Sequence, residues 1–480
     1  MPKNKVLTFG QGKNMAQISK IRFSQLSEYF GRIDAEFYKP VSLFADKIIK
    51  GQNYRSLGSI VSDGYRVVYE STKILKPEQV NLENDARFLQ ATNISNDGLW
   101  IDVEDIGYVS VKDWQRYPKG RIKIGEVLIE VKGQAEKVTI VQEYMPERTL
   151  ITGSVFKLTL KPSTISHEYL FAFFSSRFGK VLRDRTKVNT LIAYVSKPEL
   201  YRIPIPFFDN EAHTRISNYV KDSFAKQKLS KDLYRQATQL LDEVLGLNDI
   251  KFKKKKSYNA SFSEVITNNR ADADFFQTKY KQLAAHLDTI ETLYLGSICQ
   301  FKKGVEVGTA EYKDEGVLFI RVSNITRDGI STGNADKFIS NQTYNKFVSF
   351  QPYAGDILLT KDGTIGTCYV LDEDVQGIIS SGILNLTLLN PDIPKEYLAL
   401  VINSKICQMQ AQRDCSGALI LHWKPEDVRK LRIPILVPEL MEEIAEMATN
   451  AKYALRQSKA LLEQAKNEVE NLIEQEANQS

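Results

Sequence analysis

Two long stretches of the chain carry a helical rhythm, and each follows a longer stretch with a strand rhythm. Residues 210–247 and 439–474 contain no proline, and the second contains no glycine either. In the second, Ile444, Met447, Ala451, Ala454, Ser458, Leu461, Ala465, Val469 and Leu472 recur in steps of three or four. That spacing keeps small and apolar side chains on one helix face, in the manner of a coiled-coil seam. The first stretch offers Ile216, Val220 and Phe224, then Tyr234, Ala237, Leu241 and Val244. Each helix would be about 36 residues and roughly 54 Å long at 1.5 Å per residue. A single narrow apolar stripe does not hold such a helix in water. The simplest solution is that the two helices pack on each other. Helices of another chain are the alternative, and both arrangements can hold together. On this reading Ile216, Val220, Leu241, Ile444, Met447, Leu461 and Val469 form the surface that partner helices would meet.

Ahead of each helix, over about residues 20–207 and 262–437, short runs of Val, Ile, Tyr and Phe are punctuated by Gly, Asp and Asn. The runs 125–131, 138–141, 155–160, 317–322 and 357–359 read as strands. A helix is expected at 167–182 and another at 394–412. Each front part therefore reads as one mixed α/β domain.

The two halves repeat each other. Arg32-Ile33-Asp34-Ala35-Glu36-Phe37-Tyr38 matches Arg270-Ala271-Asp272-Ala273-Asp274-Phe275-Phe276, an offset of 238 from 32 to 270. Leu57-Gly58-Ser59-Ile60 matches Leu295-Gly296-Ser297-Ile298 at the same offset. Asn93-Ile94 with Asp97-Gly98 then matches Asn324-Ile325 with Asp328-Gly329, and Gly125-Glu126-Val127-Leu128 matches Gly355-Asp356-Ile357-Leu358. Glu168-Tyr169-Leu170 matches Glu396-Tyr397-Leu398, and Arg202-Ile203-Pro204-Ile205 matches Arg432-Ile433-Pro434-Ile435. The matches keep their order while the offset drifts, as short insertions at loops would make it. A unit this long is a duplicated domain and not a solenoid repeat. The chain therefore divides into an arm at 1–19, a domain at 20–207, a helix at 208–249, a lysine-rich linker at 250–261, a second domain at 262–437 and a second helix at 438–480. The fold class is mixed α+β: two similar α/β domains and two long antiparallel, coiled-coil-like helices, with a pseudo-two-fold internal repeat. Such a pair suits a ligand read at two separated places, of which duplex DNA is the obvious one.

Composition narrows the class without choosing a partner. Hydrophobic residues at 42% and charged residues at 26% exclude wholesale disorder and a collagen-like chain. The longest apolar stretches, such as 378–389, are broken by Ser, Asn and Thr and fall short of the roughly 18–20 residues of a membrane span. The first 14 residues hold no apolar core of a secretory signal. Cys299, Cys368, Cys407 and Cys415 show no CxxC spacing and read as reduced thiols of a cytoplasmic protein. A net charge of +5 permits nucleic-acid binding without demanding it. The run Lys251, Lys253, Lys254, Lys255 and Lys256 reads as a solvated linker or as a phosphate-contacting tether.

Catalytic signatures are mostly missing. Gly10-Gln11-Gly12-Lys13-Asn14 lacks the first Gly and the Ser/Thr of a phosphate-binding loop, and His167-Glu168-Tyr169-Leu170-Phe171 has Phe where a zincin has its second ligand. The four histidines stand far apart, so no metal site is expected. Asn390-Pro391-Asp392-Ile393 fails the Asn-Pro-Pro-aromatic pattern of an amino-methyltransferase. Glu130-Val131-Lys132, with Asp102 and Asp105 upstream, is the sharpest nuclease-like hint, yet the repeat puts Thr360-Lys361-Asp362 in its place. Twinned domains without a catalytic set point to recognition or scaffolding.

The second half runs Gly304-Val305-Glu306-Val307-Gly308-Thr309, then 318–325 (LFIRVSNI), then Gly355-Asp356-Ile357-Leu358-Leu359-Thr360 with Lys361-Asp362-Gly363-Thr364-Ile365-Gly366. It closes with Leu431-Arg432-Ile433-Pro434-Ile435 leading into the long helix. These segments and their order resemble the specificity subunit of type I restriction–modification systems, over about residues 20–475. The sequence departs from the family at His213 and Met441, where Gln often precedes the first helix Ile. It departs again where Lys132-Gly133-Gln134-Ala135 stands opposite Asp362-Gly363-Thr364-Ile365-Gly366. The resemblance implies that each α/β unit is a target-recognition domain reading one half of a bipartite double-stranded DNA sequence. It implies helices that set the spacer and dock two methyltransferase subunits, and a restriction and translocation subunit that can join them. S-adenosylmethionine, ATP and Mg would sit on those partners and none on this chain, which would not be an enzyme.

Lys and Arg would hold phosphates, and polar side chains on loops would read base edges. The candidates are Arg66, Gln90, Asn93, Lys132, Gln134, Lys187 and Asn189 in the first domain. In the second they are Lys302, Lys303, Arg321, Asn324, Lys361, Thr364 and Arg413. Gly363 and Gly366 are expected to serve a tight turn. The alternatives are the recognition subunit of a type IIB-like system, a non-DNA coiled-coil scaffold, and a nuclease working through Glu130 and Lys132.

Overall fold

A computed structural model describes residues 18–21, 26, 32–67, 72–188, 193–252, 257–333, 335–417 and 421–479. Most of the N-terminal arm, Asn189 and the linker lysines 253–256 lie outside the described residues. The chain forms two compact units, one of residues 1–228 and 456–480, the other of residues 229–455.

The first unit is built on a four-stranded antiparallel sheet in the order Val61–Tyr65, Val155–Leu160, Val127–Glu130, Val138–Ile140. A three-stranded sheet sets Ala86–Leu89 between antiparallel Gly107–Val109 and parallel Thr149–Ile151. Tyr54–Ser56 pairs with Pro204–Pro206, the strand that leads into the long helix Asn210–Val244. The second unit has the same plan. Its four-stranded sheet runs Cys299–Lys303, Ile383–Leu388, Ile357–Thr360, Cys368–Val370. Its three-stranded sheet sets Val317–Ile320 between Lys337–Ile339 and Gly377–Ile379, again with one antiparallel and one parallel neighbour. Thr292–Tyr294 pairs with Arg432–Pro434 ahead of the helix Pro438–Gln479. The sequence repeat is therefore a repeat of topology.

Buried polar groups show how closely the two copies agree. The phenol of Tyr169, fully buried, donates to the carbonyl of Pro206 at 2.8 Å, and that of Tyr397 donates to Pro434 at 2.9 Å. Each ties a core helix to the strand that aims the long helix. The single helices expected at 167–182 and 394–412 are each two: His167–Ser175 with Arg177–Thr186, and Lys395–Asn403 with Lys405–Asp414. The break falls at Ser176 and Ser404, both in extended backbone. Their hydroxyls donate to the carbonyls of Phe173 and Val401, each at 2.6 Å, and so satisfy groups that a continuing helix would use.

Both long helices are shared between the units. In the first unit Ile216, Val220 and Phe224 share a core with Leu462, Ala465, Val469 and Ile473. Arg215 bonds Glu468 at 2.6 Å while Ser223 bonds Ser458 at 2.8 Å, so the two segments run antiparallel. In the second unit Ala237, Leu241 and Leu245 share a core with Met441, Ile444, Ala445 and Ala448. The two helices pack on each other, as the simpler of the two expectations has it. Ile216, Val220, Leu241, Ile444 and Val469 are buried within the chain, and Met447 and Leu461 are half-buried. Among the described residues no helix is long and apolar enough to cross a membrane. The four cysteines are buried free thiols, and burial pushes Cys299 and Cys415 up to about 12.

A carboxylate at the head of the central strand is the most exacting buried group. Glu126 accepts from the Lys157 ammonium at 2.7 Å, from the Thr159 hydroxyl at 2.9 Å and from the Lys123 N–H at 2.8 Å. Asp356 and Asn385 meet in the matching place at 2.7 Å, an ion paired with an amide instead of with another ion. Glu126→Ala would leave Lys157 buried without a counter-charge, a change that costs about 3–5 kcal/mol. Urea unfolding should show a loss of that size for Glu126→Ala, and a smaller one for Glu126→Gln, which still accepts hydrogen bonds.

Candidate nucleic-acid interface

In each unit one inner strand of the four-stranded sheet, Val127–Glu130 or Ile357–Thr360, ends in an exposed loop that is stitched to a second chain segment. In the first unit Lys132–Gly133 pairs with Ala193–Val195, which pairs with Lys187–Val188. In the second, Asp362 pairs with His422, and His422 with Ser416. The same backbone bond anchors both: Val195 N–H to the Val131 carbonyl at 3.0 Å, and Trp423 N–H to the Lys361 carbonyl at 2.8 Å.

The loops close by different local means. In the first unit the buried Glu130 carboxylate accepts from the N–H groups of Glu136 and Lys137 at 3.0 and 3.2 Å. The Lys137 ammonium donates to the Ile94 carbonyl at 2.6 Å. Burial lowers the pKa of Lys137, and Glu130 opposes that shift. In the second unit the Thr360 hydroxyl accepts from Thr367 N–H at 2.9 Å, and Gly363 and Gly366 take φ of +65° and +77°. Those angles favour glycine, which fits the tight-turn expectation.

A matched clamp holds the root of each second hairpin. Arg32 grips Asp34 at 2.7 Å and donates to the Lys187 carbonyl at 3.1 Å. Arg270 grips Asp272 at 2.6 Å and donates to the carbonyls of Asp414 and Cys415, both at 3.1 Å. A planar guanidinium suits this work, because its fork bonds a carboxylate and a carbonyl at once.

No protein-family model and no curated protein matches the chain. Solved structures similar to it include the S subunit of a type I restriction–modification system from M. genitalium. That match has 14% identity, covers 88% of this chain and 94% of that one, and has a TM-score of 0.39. The HsdS subunit from Thermoanaerobacter tengcongensis matches at 13% identity over 87% and 95% of the two chains, with a TM-score of 0.27. A chain from a type I R-M system, solved in a study of complex assembly and conformational transition, matches at 14% identity over 89% and 96%, with a TM-score of 0.29. At such identities and scores the likeness by itself assigns no function.

The candidate residues fall into three groups. Lys132, Gln134, Lys303 and Thr364 are exposed. Arg66 is half-buried with its guanidinium 4.8 Å from the centre of the Tyr194 ring. Gln90 is half-buried at the head of a short turn. A second group is engaged within the chain. Lys187 meets Asp184 at 2.6 Å and Glu136 at 3.8 Å, and Arg413 meets Asp414 at 2.7 Å. Arg321 donates to the Ala335 carbonyl at 2.6 Å, and Lys302 donates to the Ser349 carbonyl.

The third group is buried. Asn93 and Asn324 are buried and close turns with both ends of their amides. Asn93 accepts from Gln90 N–H at 2.9 Å and donates to the Asp105 carbonyl at 3.2 Å. Asn324 accepts from Arg321 N–H at 2.9 Å and donates to the Ser331 carbonyl at 2.9 Å and to Asp336 at 2.7 Å. Lys361 is buried with its ammonium 2.6 Å from Asp362. Asn324 spends both amide N–H groups inside its own turn, and all three side chains are buried. The Glu130 of the nuclease-like hint is likewise occupied by its own loop. Among the described residues no three His, Cys, Asp or Glu side chains stand close enough to hold a metal ion.

Sequence reasoning missed Tyr194 and His422, which share the rung with the loop. Asp362 accepts from the His422 ring at 2.9 Å as well as from Lys361. Burial would raise the Asp362 carboxyl, but the bonds from Lys361 and His422 hold it below the usual carboxylate range. Asn324→Ala would strand the partners of a buried amide and should lower stability by about 1–3 kcal/mol. Denaturant midpoints check this, and Asn93→Ala should behave alike in the other unit.

Proposed function

We propose that this chain is the DNA-recognition subunit of a type I restriction–modification complex. Each α/β unit reads one half of a bipartite duplex sequence. The long helices set the spacer between the halves and dock two adenine-methyltransferase subunits, to which restriction and translocation subunits can be added. The chain itself is not catalytic. S-adenosylmethionine, ATP and Mg belong to the partners, and the complex works in the cytoplasm. Since the apolar seam is consumed inside the chain, docking uses the outer faces of the helices and not the stripe.

One observation supports this reading above the others. The same topology, with the same arginine clamp and tyrosine latch, occurs twice, and each copy ends in an exposed strand-end loop of different side chains. A scaffold has no use for two conserved cradles around two divergent loops, whereas a reader of two different half-sites does. Flipping an adenine into a partner's pocket also requires the duplex to be held on both sides of the base.

Co-expression with its methyltransferase subunits in a methylation-free host tests the reading directly. Mapping of modified bases should give a split motif with methyladenine in both halves, absent when this chain is omitted. No new modification from a complex that assembles would overturn the proposal. DNA affinity of the assembled complex should also fall linearly on a log–log plot against salt, with a slope of about −0.9 per phosphate neutralised.

A further inference from the structure

The internal repeat supplies a comparison of two solutions on one scaffold. Residues that frame the second hairpin are the same in both units: Arg32 and Arg270, Asp34 and Asp272, Gly133 and Gly363. The side chains displayed on that frame differ, and they differ in chemistry. In the first unit Lys132 and Tyr194 face each other across the rung, and Arg66 lies over the Tyr194 ring at 4.8 Å. In the second unit the rung holds Asp362 and His422, bonded at 2.9 Å, with Lys361 on the other carboxylate oxygen at 2.6 Å. A β-bulge between Val61 and Asp63 shifts the edge strand by one, so strand pairing puts Lys303 in the place of Arg66, an exposed ammonium instead of a guanidinium over a ring.

We infer that this rung is the base-reading site of each unit, with Arg66, Lys132 and Tyr194 as the specificity-determining set in one and Asp362 and His422 in the other. The inference rests on the function proposed above. The carboxylate decides between the two roles that a loop on DNA can have. A phosphate anchor must donate hydrogen bonds, and a carboxylate accepts them and would repel the backbone it should hold. Asp362 instead offers free acceptor lone pairs beside the two bonds it already makes. These match the amino groups of cytosine or adenine in the major groove. The first unit offers a guanidinium over an aromatic ring and an exposed ammonium. Contact with the ring holds the guanidinium in place, and its N–H groups suit a pair of acceptors, as on guanine. The matched clamps of Arg32 and Arg270 hold the two hairpin roots alike, so the identity of the rung side chains, and not their placement, distinguishes the half-sites.

The test uses the full chain assembled with its methyltransferase subunits and a pool of duplexes randomised over about 30 base pairs, roughly three helical turns. Wild type should select a split motif. Arg66→Lys keeps the charge and loses the planar fork. It should blur one or more positions in one half, with at least about a tenfold loss of discrimination, and leave the salt slope unchanged. Asp362→Asn should alter the other half and leave the first intact. Arg66→Lys should keep the wild-type unfolding midpoint, whereas Asp362→Asn takes the counter-charge from the buried Lys361 and lowers it, so for that variant unchanged reading of the first half separates altered readout from a damaged fold. If both variants select the wild-type motif, or bind all sequences more weakly with a shallower salt slope, the rung is not the reading site and the proposed function stands. If the wild-type complex selects no motif, the function fails and this inference fails with it.

Discussion

The apolar stripe of each long helix has to be covered, and the way the chain covers it governs the rest of the fold. Helices of 35 and 42 residues with one narrow stripe are not stable alone in water. Each unit solves half of the problem by placing a segment of both helices against its own α/β core, so that seam, core helices and sheet become one apolar cluster. In the first unit the seam contains a reciprocal polar contact as well. Ser223 donates to the Ser458 carbonyl at 2.8 Å, and Ser458 donates to the Ser223 carbonyl at 2.7 Å, with both side chains fully buried. Small side chains let the backbones approach. The paired bonds satisfy both hydroxyls, each contributing about 1 kcal/mol, and penalise a slipped register that would leave them unpaired.

With the helix fixed, the strand before it is fixed, and through that strand the whole unit. Tyr169 bonds the carbonyl of Pro206 and stacks on His213 in the first turn of the helix, 4.1 Å between ring centres. Burial lowers the pKa of His213, which favours the neutral ring against that phenol. Tyr397 repeats the latch at Pro434 without a histidine partner. The two units thus reach one geometry through partly different side chains, as Glu126 with Lys157 and Asp356 with Asn385 do in the sheet. What recurs is the hydrogen bond to backbone, and what varies is the group around it.

The duplication, the mixed α/β class and both long helices were legible in the sequence, because each rests on periodicity or on runs that recur in order. Ile216 and Val469 carry the right rhythm, but rhythm says that a face is covered and not by what, so it leaves a second helix of the chain and a partner's helix both open, and the shared cores show that the chain covers the face itself. Asn93 and Asn324 were legible as equivalent and were misread in role. An asparagine repeated at the same place twice is as consistent with closing a turn as with reading a base, and only the partners of its amide tell which. Tyr194 and His422 were not legible, because the rung joins residues about sixty positions apart and its alignment is set by the arginine clamps. The mismatch between Lys132-Gly133-Gln134 and Asp362-Gly363-Thr364 was visible from the start. In the sequence it stands as a departure from the family pattern, and the structure puts the two segments on corresponding rungs.

That position also explains why divergence is tolerated there. A substitution inside the latch or the clamp leaves a buried carbonyl or carboxylate without a partner, and the unit loses stability. The rung differs, since its strands are held by backbone bonds that do not depend on side-chain identity, and Lys132, Gly363 and Thr364 are exposed. Exchanging an exposed side chain on a fixed backbone costs little, within about 0.5 kcal/mol in most cases. Selection for a new target can therefore act on the rung without acting on the fold. The separation of buried groups that bind backbone from rung groups that bond only to one another is what lets one scaffold, copied once, present an arginine–tyrosine contact in one unit and an acid–imidazole pair in the other.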